Sequence, residues 1–429
     1  MKLYNTQPGK EKAILVTVTL PKEERRGWSA EDMASELKEL AQSSGRVQVI
    51  DEMCAKIEKP TASFFIGTGK VEQIHELVHE HNEDINVIVF NENLSSSQQR
   101  NLEEEIGVKV IDRSQLILDI FAQRAHSIDG KLQVELAQLE YIKPRLVGKG
   151  IMLSRLGGGL GTRGPGEKKL EVDRRRIENR LSRIKDELKS LKQRREARHK
   201  IRKEHSVSTI ALVGYTNAGK STLLNALTKS DVYVDNRLFS TLDTVSSRFV
   251  LPNHQKVLFI DTVGFLHNLP HNLIEAFKAT LEEVAQADLL LHVVDVSNPR
   301  VNELMDSVYQ VLKELGAQDK PTVVALNKTD TVKNEFDIIR LRKKINNCVA
   351  ISAKKGDGLG NLTNALMEQF SGLLEEIDVL IPYDSMNIVN AVYSEGNVIT
   401  RKDTSKGVRI KALIPTSIKD KLSHLLEKN

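Results

Sequence analysis

The stretch Ser208–Leu227, STIALVGYTNAGKSTLLNAL, decides how this chain is read. An apolar, β-branched run leads into Gly214-x-x-x-x-Gly219-Lys220-Ser221, and a helix-forming run follows. That strand–loop–helix context separates a phosphate loop from a chance glycine-rich turn. The glycines let the turn close so that backbone N–H groups and the helix N-terminus point at a β-phosphate. Lys220 is placed to reach the β- and γ-phosphates and Ser221 to ligate Mg²⁺. Tyr215, Thr216, Asn217 and Ala218 within the loop, and Thr222 after it, belong to the same phosphate-binding segment.

Three more motifs follow in the order a guanine-nucleotide site requires. Asp261-Thr262-Val263-Gly264 comes after the strand-like KVLFI, with Asp261 expected to hold Mg²⁺ through a water and the Gly264 N–H to sense the γ-phosphate. Asn327-Lys328-Thr329-Asp330 comes after TVVAL. The Asp330 carboxylate can accept two N–H bonds from guanine, which adenine cannot offer, so the wrong base leaves it unpaired. Ser352-Ala353-Lys354 comes after CVAI and supplies backbone contact to the guanine O6. Each match is weak alone; four in order on strand ends identify GTP as the substrate and GDP as the product. The Mg²⁺-binding threonine of the first switch falls in LFSTLDTVSSR, where the residues alone offer Thr241 and Thr244.

After Gly264 stands Phe265. Ras-like GTPases commonly carry a glutamine there to orient the attacking water, and phenylalanine cannot hold a water. Either Phe265 packs on a neighbouring helix while another group in the chain orients the water, or the free protein is slow and a partner completes the site in trans. His267 is a candidate for the first case, although a loop histidine is more often simply solvated.

With 429 residues the chain exceeds one core, and 40% apolar with 28% charged residues describes a soluble globular protein. Cys54 and Cys348 lie far apart and suit a reducing cytosol; they read as buried structural thiols. The first apolar run, AILVTVTL, is short and ends at Pro21, so it reads as a strand and not a secretory signal. No run approaches the roughly 18 residues of a membrane span, and no lipidation motif or amphipathic anchor is evident. A cytoplasmic monomer is expected.

Four regions are expected. Residues 1–125 form an N-terminal α/β domain, 126–205 a basic helical hairpin, 206–374 the GTPase domain and 375–429 a small C-terminal α+β domain. In the first, KAILVTVTL, INVIVFN and VKVID read as strands of a parallel sheet. SAEDMASELKELAQSSG reads as a helix with a Ser29/Asp32 capping box and a Gly45 stop, SSSQQRNLEEEIG as a second capped helix, and Gly67–Lys70 as a tight turn. In the hairpin, Leu132, Leu136 and Leu139 mark one helix. Leu170, Ile177, Leu181, Ile184, Leu188 and Leu191 mark a longer one with a coiled-coil-like seam. The glycine-rich GGGLGTRGPG, residues 157–166, lies between them. The GTPase domain is expected to carry a mostly parallel sheet flanked by helices.

The net charge of +4 hides an asymmetry: Arg163–Lys203 holds 17 Lys/Arg against 7 Asp/Glu. A basic element this dense, with Arg174, Arg175, Arg176, Arg183, Lys185, Lys192, Arg194 and Arg195 around the seam and Lys149, Arg155 and Arg163 near its tip, suits a phosphate-rich partner bound in a salt-sensitive way. The hairpin is nearly free of aromatics, which disfavours stacking on single strands and favours structured RNA read by shape and backbone. The competing reading is a solvated helix whose charges only confer solubility.

GGGLGTRGPGEKKLEVDRRRI, FSTLD, DTVGFLHNLPHNLIEAFKATLEE, ADLLLHVVDVSNP and FFIGTGKVEQI resemble the motifs of the HflX family over roughly residues 10–370. The C-terminal region is similar to an extension found in some members. The resemblance implies a ribosome-associated GTPase of the TRAFAC class, close to Obg. It implies binding to the large ribosomal subunit and, in some members, splitting of stalled or hibernating ribosomes after stress. The hairpin and its loop are implied to reach rRNA near the peptidyl-transferase region, through Arg155, Arg163, Arg174, Arg175 and Arg176. The family's Phe-x-Thr-Leu-Asp falls on Phe239, Ser240, Thr241, Leu242 and Asp243, which selects Thr241 as the switch threonine and metal ligand beside Ser221. With Lys220 and Gly264, Thr241 completes the implied catalytic set. The family also carries a hydrophobic residue at the position of Phe265. It usually has proline where Thr244 stands and often arginine where His267 stands. Two functions stay open: a Mg²⁺-dependent GTPase activated by the ribosome, or a GTP-gated RNA-binding assembly factor whose hydrolysis is incidental.

Overall fold

The computed structural model describes residues 10–24, 27–80, 84–154, 165–204, 207–229, 238–239, 245–253, 255–266, 281–332, 334–370 and 374–415. They divide into two compact units. One comprises the described residues up to Leu191 together with Leu238 and Phe239; the other comprises the rest.

In the first unit the chain runs β1 (Glu11–Thr19), α1 (Ala30–Ser44), β2 (Val47–Lys56), α2 (Thr68–Glu80), β3 (Val87–Phe90), α3 (Ser96–Ile106), β4 (Lys109–Ile111) and α4 (Arg113–Arg124). The sheet order is β2-β1-β3-β4 and every pair is parallel, as expected for strands joined through helices. β1 and β3 are the central strands and are almost wholly buried, which is why they read as unbroken apolar runs. The Ser29/Asp32 capping box is closed in both directions, and Gly45 ends α1 at φ 66°. Ser95 and Gln98 do the same for α3, which Gly107 ends at φ 80°.

Three expectations are corrected here. β2, VQVIDEMCAK, is absent from the sequence reading because it is an edge strand with one face in water, and its charges mask the alternation. Cys54 lies on that strand and is exposed, and Cys348 is half-buried, so neither is a buried structural thiol. Gly67–Lys70 is not a free turn: Lys70 and Val71 donate to the Gly67 carbonyl as α2 begins.

The hairpin consists of α5 (Ile128–Ser154) and α6 (Pro165–Glu204). Its seam is as the spacing predicts: Leu132, Leu136, Leu181 and Ile184 are buried together, with Leu139, Ile177, Leu188 and Leu191 against them. The side chain of Leu170 lies outside the described residues, as do those of Lys149, Arg155 and Arg163. Pro165 opens α6 at the position where its missing N–H costs nothing. α5 is tied to the sheet by buried Asp112, which accepts from Tyr141 Oη at 2.9 Å and Arg145 Nη2 at 3.1 Å. The Arg145 guanidinium lies 3.5 Å over the Tyr141 ring. Burial raises the Asp112 carboxyl above its ordinary range despite these donors.

The second unit carries β5 (Ser208–Val213), α7 (Lys220–Thr228), β6 (Val245–Val250), β7 (Lys256–Asp261), β8 (Leu289–Asp295), α8 (Val301–Glu314), β9 (Thr322–Asn327), α9 (Glu335–Lys344), β10 (Cys348–Ala350) and α10 (Leu359–Phe370). The sheet order is β10-β9-β8-β5-β7-β6, parallel except for β6 against β7. Apolar clusters cover both faces, one built on Ile210, Leu212, Phe259, Leu291 and Phe370, the other on Val294, Val324 and Leu326. Parallel strands deliver the loops after β5, β7, β9 and β10 to one edge of the sheet, where ligands of such folds bind.

A three-stranded antiparallel sheet follows, order β11-β13-β12, from β11 (Leu374–Ile381), α11 (Met386–Glu395), β12 (Asn397–Thr404) and β13 (Gly407–Pro415). Ile377, Val379 and Ile381 alternate toward Val408, Ile410, Ala412 and Ile414, and Val389 and Val392 of α11 complete that core. Among the described residues no helix is long and apolar enough to cross a membrane.

Candidate nucleotide site

The loop between β5 and α7 is shaped by glycines that admit nothing larger. Gly214 stands at φ 152°, and a Cβ there would meet the Val293 carbonyl oxygen at 2.3 Å. Gly219 stands at φ 92°, and a Cβ there would lie 2.4 Å from Asn327 Nδ2. That contact exposes a link the motifs do not show. Asn327 donates to the Ala218 carbonyl at 2.8 Å and accepts from the Ala353 N–H at 3.0 Å. One side chain therefore fastens the phosphate loop to the loop after β10.

The base-reading end is equally held. Ser352 donates to Asp330 Oδ1 at 2.7 Å, and this bond keeps the carboxyl below its ordinary range. Lys328, at φ 65°, pairs with Asp295 at 2.7 Å. Thr329 donates to the Ile351 carbonyl through its N–H at 3.2 Å and its hydroxyl at 2.9 Å.

At the phosphate end Ser221 Oγ donates to Asp261 Oδ2 at 2.6 Å, with Ser221 nearly and Asp261 fully buried. Lys220 donates to the carbonyls of Gly214 at 3.1 Å and Tyr215 at 2.9 Å. Burial lowers its ammonium to about 8, and Asp261 opposes the shift. Thr262 donates to the Leu212 carbonyl at 2.6 Å, which anchors the start of the second switch to β5. Thr216 Oγ1 is buried without a hydrogen-bond partner. An unsatisfied hydroxyl in a glycine-walled loop fits a segment made to receive phosphate oxygens.

Phe265 is 1% exposed. Its N–H donates to the Gly214 carbonyl at 3.1 Å and its carbonyl accepts from Thr216 N–H at 2.8 Å, a short parallel bridge between the second switch and the phosphate loop. Its ring belongs to the core and its backbone to the loop, so no part of the residue is available to position a water.

Phe239 packs edge-on against Phe121 of α4 at 4.6 Å, and the neighbouring Leu238 N–H donates to Ser43 Oγ of α1 at 3.0 Å. The structure thus places Phe239 among the side chains of the first unit. Ser240, Thr241, Leu242, Asp243, Thr244 and His267 lie outside the described residues. His292 in β8 escaped the sequence reading because nothing in an apolar strand marks it. It is buried, its pKa is driven down to about 3 by burial and then by Lys220, and its Nδ1 has no partner.

The basic hairpin is less free than its composition suggests. Arg174 pairs with Glu178, Arg176 with Asp173, Arg180 with Glu135 through two 2.7 Å bonds, Lys185 with Glu140 and Lys192 with Glu282. Arg175, Arg183 and Arg194 are exposed and make no ion pair among the described residues.

A phosphate loop, a paired Ser221 and Asp261 and an anchored Asp330 on strand ends of a parallel sheet define a P-loop GTPase, an enzyme that hydrolyses GTP. Residues 209–328 match the family described as 50S ribosome-binding GTPase. Residues 31–122 match the GTP-binding GTPase N-terminal family, 124–202 its middle region, and 337–426 the HflX C-terminal domain. The GTPase HflX of Caldanaerobacter subterraneus subsp. tengcongensis is 44% identical over 418 residues, 97% of this chain and 94% of that one. The GTPase HflX of Escherichia coli K12 is 40% identical over 381 residues, 89% of this chain and 88% of that one. A GTP-binding protein from Sulfolobus solfataricus, solved in complex with GDP, is 25% identical with a TM-score of 0.44, over 85% of this chain and 99% of that one. The chain belongs to the HflX family of GTPases.

Proposed function

We propose that this GTPase works with Mg²⁺, binds the large ribosomal subunit and is activated by the ribosome, and that it splits or rescues stalled or hibernating ribosomes under stress. The observation that carries this reading is the placement of Phe265. Its ring is in the core and both backbone groups are bonded to the phosphate loop. A site whose residue after Gly264 cannot orient the attacking water runs slowly until a target supplies such a group. The family description of residues 209–328 supports the ribosome as that target.

The residues fit a magnesium ion. Ser221 Oγ and the Asp261 carboxylate form a buried all-oxygen pair, the chemistry a hard cation selects. When bound, Mg²⁺ neutralises charge that develops between the β- and γ-phosphates. With nucleotide bound, Lys220 would exchange its loop carbonyls for phosphate oxygens, Gly264 would offer its N–H to the γ-phosphate, and Ser221 and Thr241 would hold the metal. Asp330, oriented by Ser352, reads the guanine edge.

The test is GTP turnover by the purified protein alone, with large subunits and with whole ribosomes, while light scattering follows subunit separation. Strong stimulation with splitting supports the proposal. Ribosome binding without stimulation favours a GTP-gated RNA-binding assembly factor and sinks it. Two variants sharpen the result. Phe265→Gln leaves intrinsic hydrolysis no faster, because the amide is buried without partners, and destabilises the fold by about 1–3 kcal/mol. Single-turnover rates and thermal unfolding check this, and a large rate gain would show that the position reaches water. Replacing Arg175, Arg183 and Arg194 with glutamine weakens ribosome binding. It also reduces the slope of log affinity against log salt by about one for each phosphate no longer neutralised. GTP affinity stays unchanged, and a parallel fall in it would make the hairpin a support instead of a reader.

A further inference from the structure

Helix α2 carries His75-Glu76-Leu77-Val78-His79, the His-x-x-x-His spacing by which a helix presents two imidazoles on one face. The inner face of α2 is occupied: Val71 and Ile74 are buried in the core of the first unit, with Leu77 and Val78 against the same cluster. The histidines look outward. His75 is half-buried and His79 is exposed. Their rings meet edge to face with centroids 4.4 Å apart, and the two Nε2 atoms are 3.1 Å from each other. Among the described residues neither imidazole makes another hydrogen bond or ion pair.

Two ring nitrogens converging on one point have two explanations, a hydrogen bond between opposite tautomers or a shared ion. The distance suits the second as well as the first. Two Zn–N bonds of about 2.0–2.1 Å at a tetrahedral angle hold their nitrogens roughly 3.3–3.4 Å apart, and neighbouring square-planar positions hold them roughly 2.9 Å apart. The observed 3.1 Å lies between these values. Glu72 and Glu76 are exposed on the same side of the helix, one turn before each histidine, and make the surroundings favourable to a cation.

We propose that His75 and His79 form a two-histidine chelate for a borderline divalent transition ion such as Zn²⁺, Ni²⁺ or Cu²⁺ on the outer face of α2. Among the described residues no group of three or more metal-binding side chains converges anywhere. The chelate therefore supplies two protein ligands and leaves the other positions to water or to a donor from a partner. It is a binding site and not a hydrolase centre, because a catalytic zinc needs three protein ligands. The ion links two successive turns of α2, so its binding energy is added to the stability of the first unit. Imidazole ligands separate this site from the oxygen donors expected to hold Mg²⁺ at Ser221 and Asp261.

The test uses the full-length chain, free of any affinity tag and stripped with chelator, and Cu²⁺ as the probe because it binds nitrogen sites most tightly. Electron paramagnetic resonance is expected to show one ion with two equatorial nitrogens, and Ni²⁺ or Zn²⁺ to raise the melting temperature. His79→Ala and His75→Ala each reduce the spectrum to one nitrogen. Each weakens binding by roughly tenfold or more, since even changes behind a ligand cost that much at metal sites. His79 is exposed, so its removal leaves the metal-free melting temperature unchanged and any loss of binding reads the site itself. Two-nitrogen coordination that persists in the His75→Ala/His79→Ala double variant, or a wild-type spectrum with a single nitrogen, overturns the proposal.

Discussion

Asp330→Asn lowers the affinity for GTP by a factor on the order of 10²–10⁴ and shifts preference toward XTP. The carboxylate is expected to accept two N–H bonds from guanine, and hydrogen bonds to a charged group contribute about 1.5–3 kcal/mol each. The structure adds that the carboxylate is already aimed, since Ser352 holds Oδ1 at 2.7 Å. Asparagine keeps the shape and can keep the Ser352 bond, but it turns one acceptor into a donor. A donor faces the guanine 2-amino group unfavourably and the xanthine 2-oxo group favourably. Competition of GTP and XTP against a fluorescent GDP analogue measures the shift. Unchanged GTP affinity would mean that Asp330 does not read the base.

Gly264→Ala abolishes most hydrolysis. A Cβ at this position would stand 2.7 Å from Thr216 Cγ2, 2.8 Å from Thr216 Cα and 3.1 Å from Lys220 Nζ. The first contact could be relieved by a rotamer, but the second is with backbone and cannot. The second switch must therefore retreat from the phosphate loop, taking the Gly264 N–H away from the γ-phosphate it is proposed to contact. Removing one aligned donor to a developing oxyanion costs about 10²–10³ in rate, and single-turnover kinetics read the loss. GDP affinity falls less, because GDP has no γ-phosphate to contact. Gly360→Ala in α10 is the control, for nothing lies within 4 Å of its added methyl. Normal hydrolysis by Gly264→Ala would show that the close approach to Thr216 is not needed for chemistry.

These two predictions rest on residues of different legibility. Asp330 and Gly264 are both visible as motif members, because the chemistry of a guanine site demands those types at strand ends. That Gly264 has no room for a methyl is visible only once Thr216 and Lys220 are packed over it. Asn327 is similar: its membership of the Asn-Lys-Thr-Asp motif is plain, while its tie between Ala218 and Ala353 needs three loops from separate strands to meet. The edge strand β2 was not legible, since its exposed face carries Glu52 and Lys56 where a buried strand would carry apolar residues.

What the sequence by itself determined is everything carried by local spacing: the phosphate loop, the order of the nucleotide motifs, the capped helices α1 and α3, and the leucine seam of the hairpin. Each depends on a period or a backbone conformation that neighbours along the chain specify. Tertiary structure decided what depends on partners distant in sequence. It placed the Phe265 ring in the core and spent its backbone on Gly214 and Thr216. It paired Arg180 with Glu135 and Lys185 with Glu140 across the hairpin, while Arg175, Arg183 and Arg194 stay exposed and outside any ion pair among the described residues. It also set Phe239 against Phe121. A side chain's type limits what it can bond, but which group stands within 3 Å of it is settled only when separate elements pack.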